Sequence, residues 1–244
     1  LNARIRKRWL SGDLEIITLC TPNDLTYETT SLGDDVSLLS DPSFLTDIKS
    51  FFNGAKYPMI ILGDSILSTV EGEKIHSIVK SLSDNCEIIR DGWNGFCVLS
   101  AYASRSGGLE IGFLPSKGGL NVKQIKKKIS EKKIKLLFLI EADDFDLSDL
   151  DIKSTKIIYL GHHGDKHATK AEIILPITAF TEKKALYVNI EGRPQFTKKI
   201  IQNKGIAVDS WKIFRALADN FNLKFSYNNH EQFLNKIYKL HPEI

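Results

Sequence analysis

Six short apolar runs punctuate the chain without the polar–apolar alternation of a half-exposed sheet. They are Glu15–Cys20 (EIITLC), Pro58–Gly63 (PMIILG), Glu87–Arg90 (EIIR), Lys135–Ala142 (KLLFLIEA), Lys156–Gly161 (KIIYLG) and Ala171–Pro176 (AEIILP). Continuous apolar strands are what a parallel sheet covered on both faces requires. Amphipathic stretches lie between them. Ser43–Phe52 follows an Asp-Pro turn, Glu71–Leu82 carries Ile75, Ile78, Val79 and Leu82 at helical spacing, and Val122–Ile134 is rich in lysine. The alternation predicts an α/β fold: doubly wound, mainly parallel sheets with flanking helices. Two further amphipathic helices are predicted in the tail. The first is capped by Asp209 or Ser210 and has Trp211, Phe214, Leu217, Ala218 and Phe221 on its apolar face. The second carries Phe233, Leu234, Ile237 and Tyr238.

In such sheets ligands sit beyond the carboxyl ends of the strands. The loops ILGDS (61–65), RDGWNG (90–95), LIEADD (139–144) and YLGHHGD (159–165) are therefore expected to gather on one edge. No GxGxxG or GxxxxGK[ST] fingerprint is present, and the glycine-rich stretch at 106–119 has no strand leading into it. Net charge is only +3, so a nucleic-acid partner is not expected. The basic run Lys123–Lys133 has Ile125 and Ile129 four apart, which reads as the solvated face of a helix. The longest apolar runs are far shorter than the ~20 residues of a membrane span. The three cysteines, Cys20, Cys86 and Cys97, have no zinc or iron–sulfur spacing, and buried thiols in a reducing compartment are expected.

The densest cluster of chemically capable side chains is GHHGDKH, with His162, His163, His167 and Asp165. A tetrahedral metal needs ligands that converge, and adjacent His162 and His163 diverge if the strand continues. A catalytic base needs something to act on, and none is evident. A conformational role is the third reading, with Gly161 and Gly164 bracketing the pair and permitting positive φ.

The tract YLGHHGDKHATKAEIILPITAFTEKKALYVNIEGRPQFTKK closely resembles the large iron–sulfur (75 kDa) subunit of respiratory complex I. LNARIRKRWL (1–10), DGWNGFCVLSAYASRSGGLEIGFLP (91–115) and DSWKIFRALAD (209–219) match further blocks of that family in the same order. The resemblance implies a fold similar to molybdopterin-dependent oxidoreductases such as formate dehydrogenases. In those enzymes the tract matching Ile174–Pro176, Glu182–Lys183, Asn189 and Glu191–Gln195 helps to cradle a pterin dinucleotide. Asn189 and Arg193 offer amide and guanidinium donors there. In the complex I subunit the fold is kept without that cofactor. His162, His163, Asp165, Glu182, Asn189, Glu191, Arg193 and Gln195 are thus expected as vestigial pterin-type loops, with no catalytic or metal-binding residue in the chain.

The same resemblance implies that residues 1–244 are the C-terminal molybdopterin-like domain, without the cysteine-rich, cluster-binding part. Opening on LNARIRKRW without an initiating methionine, the chain is expected to be one half of a split subunit or a truncated sequence. The implied role is structural. The chain would support the cluster-bearing N-terminal half and contact other subunits of the peripheral arm, on the matrix side of the mitochondrial inner membrane. Iron–sulfur clusters and FMN are expected in partner subunits, not here. A molybdopterin-binding oxidoreductase subunit is the alternative, and a stand-alone α/β binding protein is the third.

Overall fold

A computed structural model describes residues 1–21, 24–242 and 244. The chain divides into two units, Leu1–Ala101 and Tyr102–Ile244.

In the first unit, helix α1 (Asn2–Trp9) precedes two two-residue strands, β1 (Ile17–Thr18) and β2 (Thr30–Ser31), which pair in parallel. Helix α2 (Pro42–Phe51) begins at Asp41, whose carboxylate accepts from the Ser43 N–H, with proline at the first helical position. Strand β3 (Ile60–Leu62), the short helix α3 (Asp64–Leu67) and helix α4 (Gly72–Asn85) follow, then β4 (Ile89–Arg90), β5 (Trp93–Asn94) and β6 (Phe96–Val98). The helical spacing of Ile75, Val79 and Leu82 puts one face of α4 against Leu39, Ile48 and Leu62, forming the core of this unit.

Glu87–Arg90 is not a strand of a parallel sheet. Only Ile89 and Arg90 pair, antiparallel with β5, because Asp91-Gly92, with Gly92 at φ 73°, turns the chain straight back. RDGWNG is therefore a hairpin turn, not a strand exit. Cys20 also departs from expectation. It leaves the short strand β1 in the left-handed region (φ 54°) and is exposed, whereas Cys86 is half-buried.

The second unit opens with α5 (Arg105–Glu110) and α6 (Val122–Ser130). Asn121 and Gln124 close a capping box at the start of α6. The helix ends at Ser130, four residues before the predicted limit, because Lys132 takes φ 57° and the Lys133 N–H bonds back to the Lys128 carbonyl. Ile129 is fully buried and Lys123 and Lys127 are exposed, which is the solvated basic face expected. Strands β7 (Leu136–Ile140), β8 (Lys156–Gly161) and β9 (Ile173–Pro176) form a parallel sheet in that order. Its core side holds Leu139, Ile157 and Tyr159 against Leu147 from the β7–β8 connection.

The hairpin β10 (Leu186–Val188) and β11 (Pro194–Phe196), then helices α7 (Ser210–Asn220) and α8 (His230–Leu240), complete the chain. Phe221 caps α7 and is exposed, so it is not on the apolar face predicted for it. Asp209 stands at the N-cap of α7, but its carboxylate accepts from the Thr178 hydroxyl at 2.9 Å, tying the exit of β9 to the helix start. The architecture is α/β with small, mainly parallel sheets.

Candidate functional site

The exits of β7 and β8 lie side by side, because Ile140 and Leu160 are in register. LIEADD and YLGHHGD are thereby brought together at the carboxyl end of the sheet, where an α/β fold places its site. ILGDS belongs to the β3–β6 sheet of the first unit instead.

The GHHGD loop is built around Asp165. Its Oδ1 accepts from the N–H groups of His167 (2.7 Å) and Ala168 (3.1 Å). The Tyr159 hydroxyl lies 3.1 Å from Oδ2 and 2.9 Å from the His163 carbonyl. Burial alone would push the Asp165 carboxyl up, but the His167 and Ala168 amides outweigh it and hold the group below its ordinary value. Burial, followed by the Asp165 charge, pushes the Tyr159 phenol up to about 12. Asp143 is raised by burial and then by Asp165, its acidic neighbour.

His162 and His163 are both exposed, with rings 4.7 Å apart and edge-on. Nδ1 of His162 stands 3.7 Å from the Glu141 carboxylate, which also receives Lys183 at 3.1 Å. Glu141 thus links the exit of β7 to the TEK segment. His167, by contrast, is buried, with Nε2 3.3 Å from the Asp143 carbonyl and Nδ1 without a partner. Among the described residues, no group of three or more His, Cys, Asp or Glu side chains is placed to hold a metal ion.

The glycines of this loop act differently from expectation. Neither Gly161 nor Gly164 has positive φ. At Gly161 the reason for glycine is space, since a Cβ there would lie 2.2 Å from the Tyr159 hydroxyl.

The pterin-type tract is likewise closed on itself. Glu182 is buried, and its carboxylate accepts from the Ala179 N–H at 3.0 Å. Lys183 turns away to Glu141, so the neighbouring charges serve different partners. Asn189, expected as a donor, uses its side-chain oxygen as an acceptor for the N–H groups of Glu191 and Arg193, both at 2.9 Å. With Gly192 at φ 77°, that closes the β10–β11 hairpin. Glu191, Arg193 and Gln195 are exposed on the hairpin. Pro176 ends β9 as expected, although Ile173 and Ile174 of that strand are exposed.

Sequence reasoning missed Tyr159, Glu141 and Asp143 as members of this cluster. Tyr159 is hidden inside an apolar run. The two acids lie in a loop already placed at a strand exit, which was the available signal.

Replacing Asp143 with asparagine is expected to raise stability slightly at neutral pH. The folded pKa of Asp143 is above its unfolded value, so its charged form opposes folding above that range, and the penalty vanishes as the pH falls through the folded pKa toward 3.8. Thermal melts of the two proteins should differ at pH 7 and converge near pH 3.5.

Residues 1–220 match the molybdopterin oxidoreductase family model, and the chain belongs to that family. Within it, the sequence is 37% identical over 251 residues to the NADH-ubiquinone oxidoreductase 75 kDa subunit of Reclinomonas americana, covering 100% of this chain and 35% of that protein. It is 36% identical to an NADH-quinone oxidoreductase subunit of Rickettsia bellii over 99% of this chain and 34% of the relative. Identity to the mitochondrial NADH-ubiquinone oxidoreductase 78 kDa subunit of Neurospora crassa is 35%, over 100% of this chain and 32% of the relative. The chain spans about a third of the length of these relatives.

Proposed function

We propose that this chain is a structural part of the peripheral arm of respiratory complex I, NADH:ubiquinone oxidoreductase, on the matrix side of the mitochondrial inner membrane. It supports the cluster-bearing N-terminal half of the same subunit, and it contacts other peripheral-arm subunits. The clusters and FMN belong to those partners, and this chain contributes no catalytic centre. Its part in electron transfer is to exclude water and fix the dielectric around clusters held by its neighbours. The observation that carries this reading is similarity along the whole chain to subunits of that enzyme from a protist, a bacterium and a fungus. No helix among the described residues is long and apolar enough to cross a membrane.

The side chains of the tract support a structural role over pterin binding. A pterin dinucleotide needs donors converging on its phosphates and acceptors for its amide edge. Here Asp165, Glu182 and Asn189 direct their oxygens to amides of their own loops, while Arg193 and Gln195 are exposed. As arranged, these residues do not fit the group. We read His162, His163, Asp165, Glu182, Asn189, Glu191, Arg193 and Gln195 as members of vestigial pterin-type loops, which Asp165, Glu182 and Asn189 hold in place.

Native electrophoresis of solubilised mitochondrial membranes tests the assignment. The chain should comigrate with the high-mass band stained for NADH dehydrogenase activity. Migration only as a small species overturns it.

A further inference from the structure

One sheet of the second unit is incompletely covered. Parallel sheets are almost always covered on both faces, and the core side of β7–β8–β9 is covered by Leu147 and its neighbours. On the opposite side Leu136, Phe138, Ile140 and Ile173 remain 50%, 37%, 40% and 49% exposed. Phe138 is in register with the half-buried Ile158 and Ile158 with Ile173, while Leu160, between Ile140 and Leu175 on the same side, is fully buried, so the exposed side chains lie along the β7 edge and at Ile173. Phe214 of α7, 6.5 Å from Phe138, covers only part of it.

The edge of the same sheet is open as well. The Glu141 N–H donates to the Leu160 carbonyl, and the Lys135 carbonyl accepts from the Lys156 N–H. Odd-numbered residues of β7 therefore bond to β8. In a parallel ladder alternate residues point their N–H and C=O to opposite sides, so those of Leu136, Phe138 and Ile140 point outward. Among the described residues no strand pairs with that side. Proteins that leave an edge in water blunt it with lysine, proline or a bulge. β7 reads LLFLI, with charges only beyond its ends, at Lys133, Lys135, Glu141 and Asp143. A five-residue apolar edge without such protection is suited to a sheet that continues into a further strand.

We propose that β7 is the docking edge for a β-strand supplied by the cluster-bearing part of the same subunit, and that apolar residues of that part cover Leu136, Phe138 and Ile140. The occupant rests on the function proposed above. It is argued from the part of the relatives' sequence that this chain does not match and from the unpaired apolar edge at β7.

Hydrogen–deuterium exchange on the chain alone and within the NADH dehydrogenase-active assembly tests this. The 136–140 amides should exchange at least about 100-fold more slowly in the assembly, because a new ladder bond opens only by local unfolding. Lysine cross-linking should join Lys133 or Lys135 to the cluster-bearing part of the subunit. Unchanged exchange in an active assembly that contains the chain overturns the docking edge and leaves the complex I assignment standing. Cross-links between two copies of this chain at Lys135 overturn the occupant in favour of self-pairing. Absence of the chain from the active assembly overturns the assignment itself, and the occupant with it. As a second readout, Leu136→Lys should abolish incorporation, whereas Val70→Lys, at a fully exposed position of the first unit, should not.

Discussion

Replacing Gly95 with alanine is expected to destabilise the first unit by about 3 kcal/mol or more, lowering its melting temperature by on the order of 10 °C. Gly95 is buried between the β4–β5 hairpin and the start of β6. Its N–H donates to the Ile88 carbonyl at 3.0 Å, and its carbonyl accepts from the Ile60 N–H at 2.9 Å, which begins the pairing of β3 with β6. A Cβ there would lie 2.1 Å from the Pro58 carbonyl oxygen and 2.8 Å from the Trp93 indole nitrogen. Those two atoms are themselves hydrogen-bonded at 2.8 Å, directly over the glycine. The methyl group cannot be accommodated by rotating one side chain. It must push the backbone at Pro58 away, and with it the indole bond and the edge of β3. Circular dichroism melts would show the loss, and an unshifted transition would contradict this account of the GWNG block.

Replacing Asp165 with alanine is expected to cost about 2 kcal/mol and to loosen the GHHGD loop. The carboxylate is the shared acceptor for two loop amides and lies within bonding distance of the buried Tyr159 hydroxyl, so its removal orphans several donors together. The pH dependence has a definite sign. The folded pKa of Asp165 is below its reference value of 3.8, so its stabilisation is complete above that pH and is lost as the pH falls through the folded value. The gap between the parent protein and Asp165→Ala should therefore be widest near neutrality and shrink below pH 4. Asp143→Asn changes stability in the opposite direction over the same acid range, which separates the two carboxylates experimentally.

These predictions fall where local geometry, not composition, decides the outcome. The runs at 135–142, 156–161 and 171–176 became β7, β8 and β9 because apolar continuity is a direct demand of a parallel sheet. The helical spacing of Ile75, Val79 and Leu82 fixed the buried face of α4 in the same way. What the pattern does not carry is the conformation of single residues. Lys132 in the left-handed region stops α6, and Gly92 folds EIIR into a hairpin. The residues of the candidate site were legible as residues, through the family tract, but their roles were not. Asn189 could give its amide or its oxygen, and only the turn at Gly192 brings two backbone N–H groups onto the oxygen. Gly161 was readable as flexibility, yet it is required because the Tyr159 ring folds back against it.

The claim that most needs a direct test is that these loops serve the assembly and not a pterin. We would purify the native assembly through a tag on this chain and measure iron and molybdenum by mass spectrometry of the elements. The account predicts abundant iron, from clusters in the partner polypeptides, with molybdenum far below one atom per chain. Molybdenum equimolar with the chain would contradict it and would return the tract at 174–195 to cofactor binding.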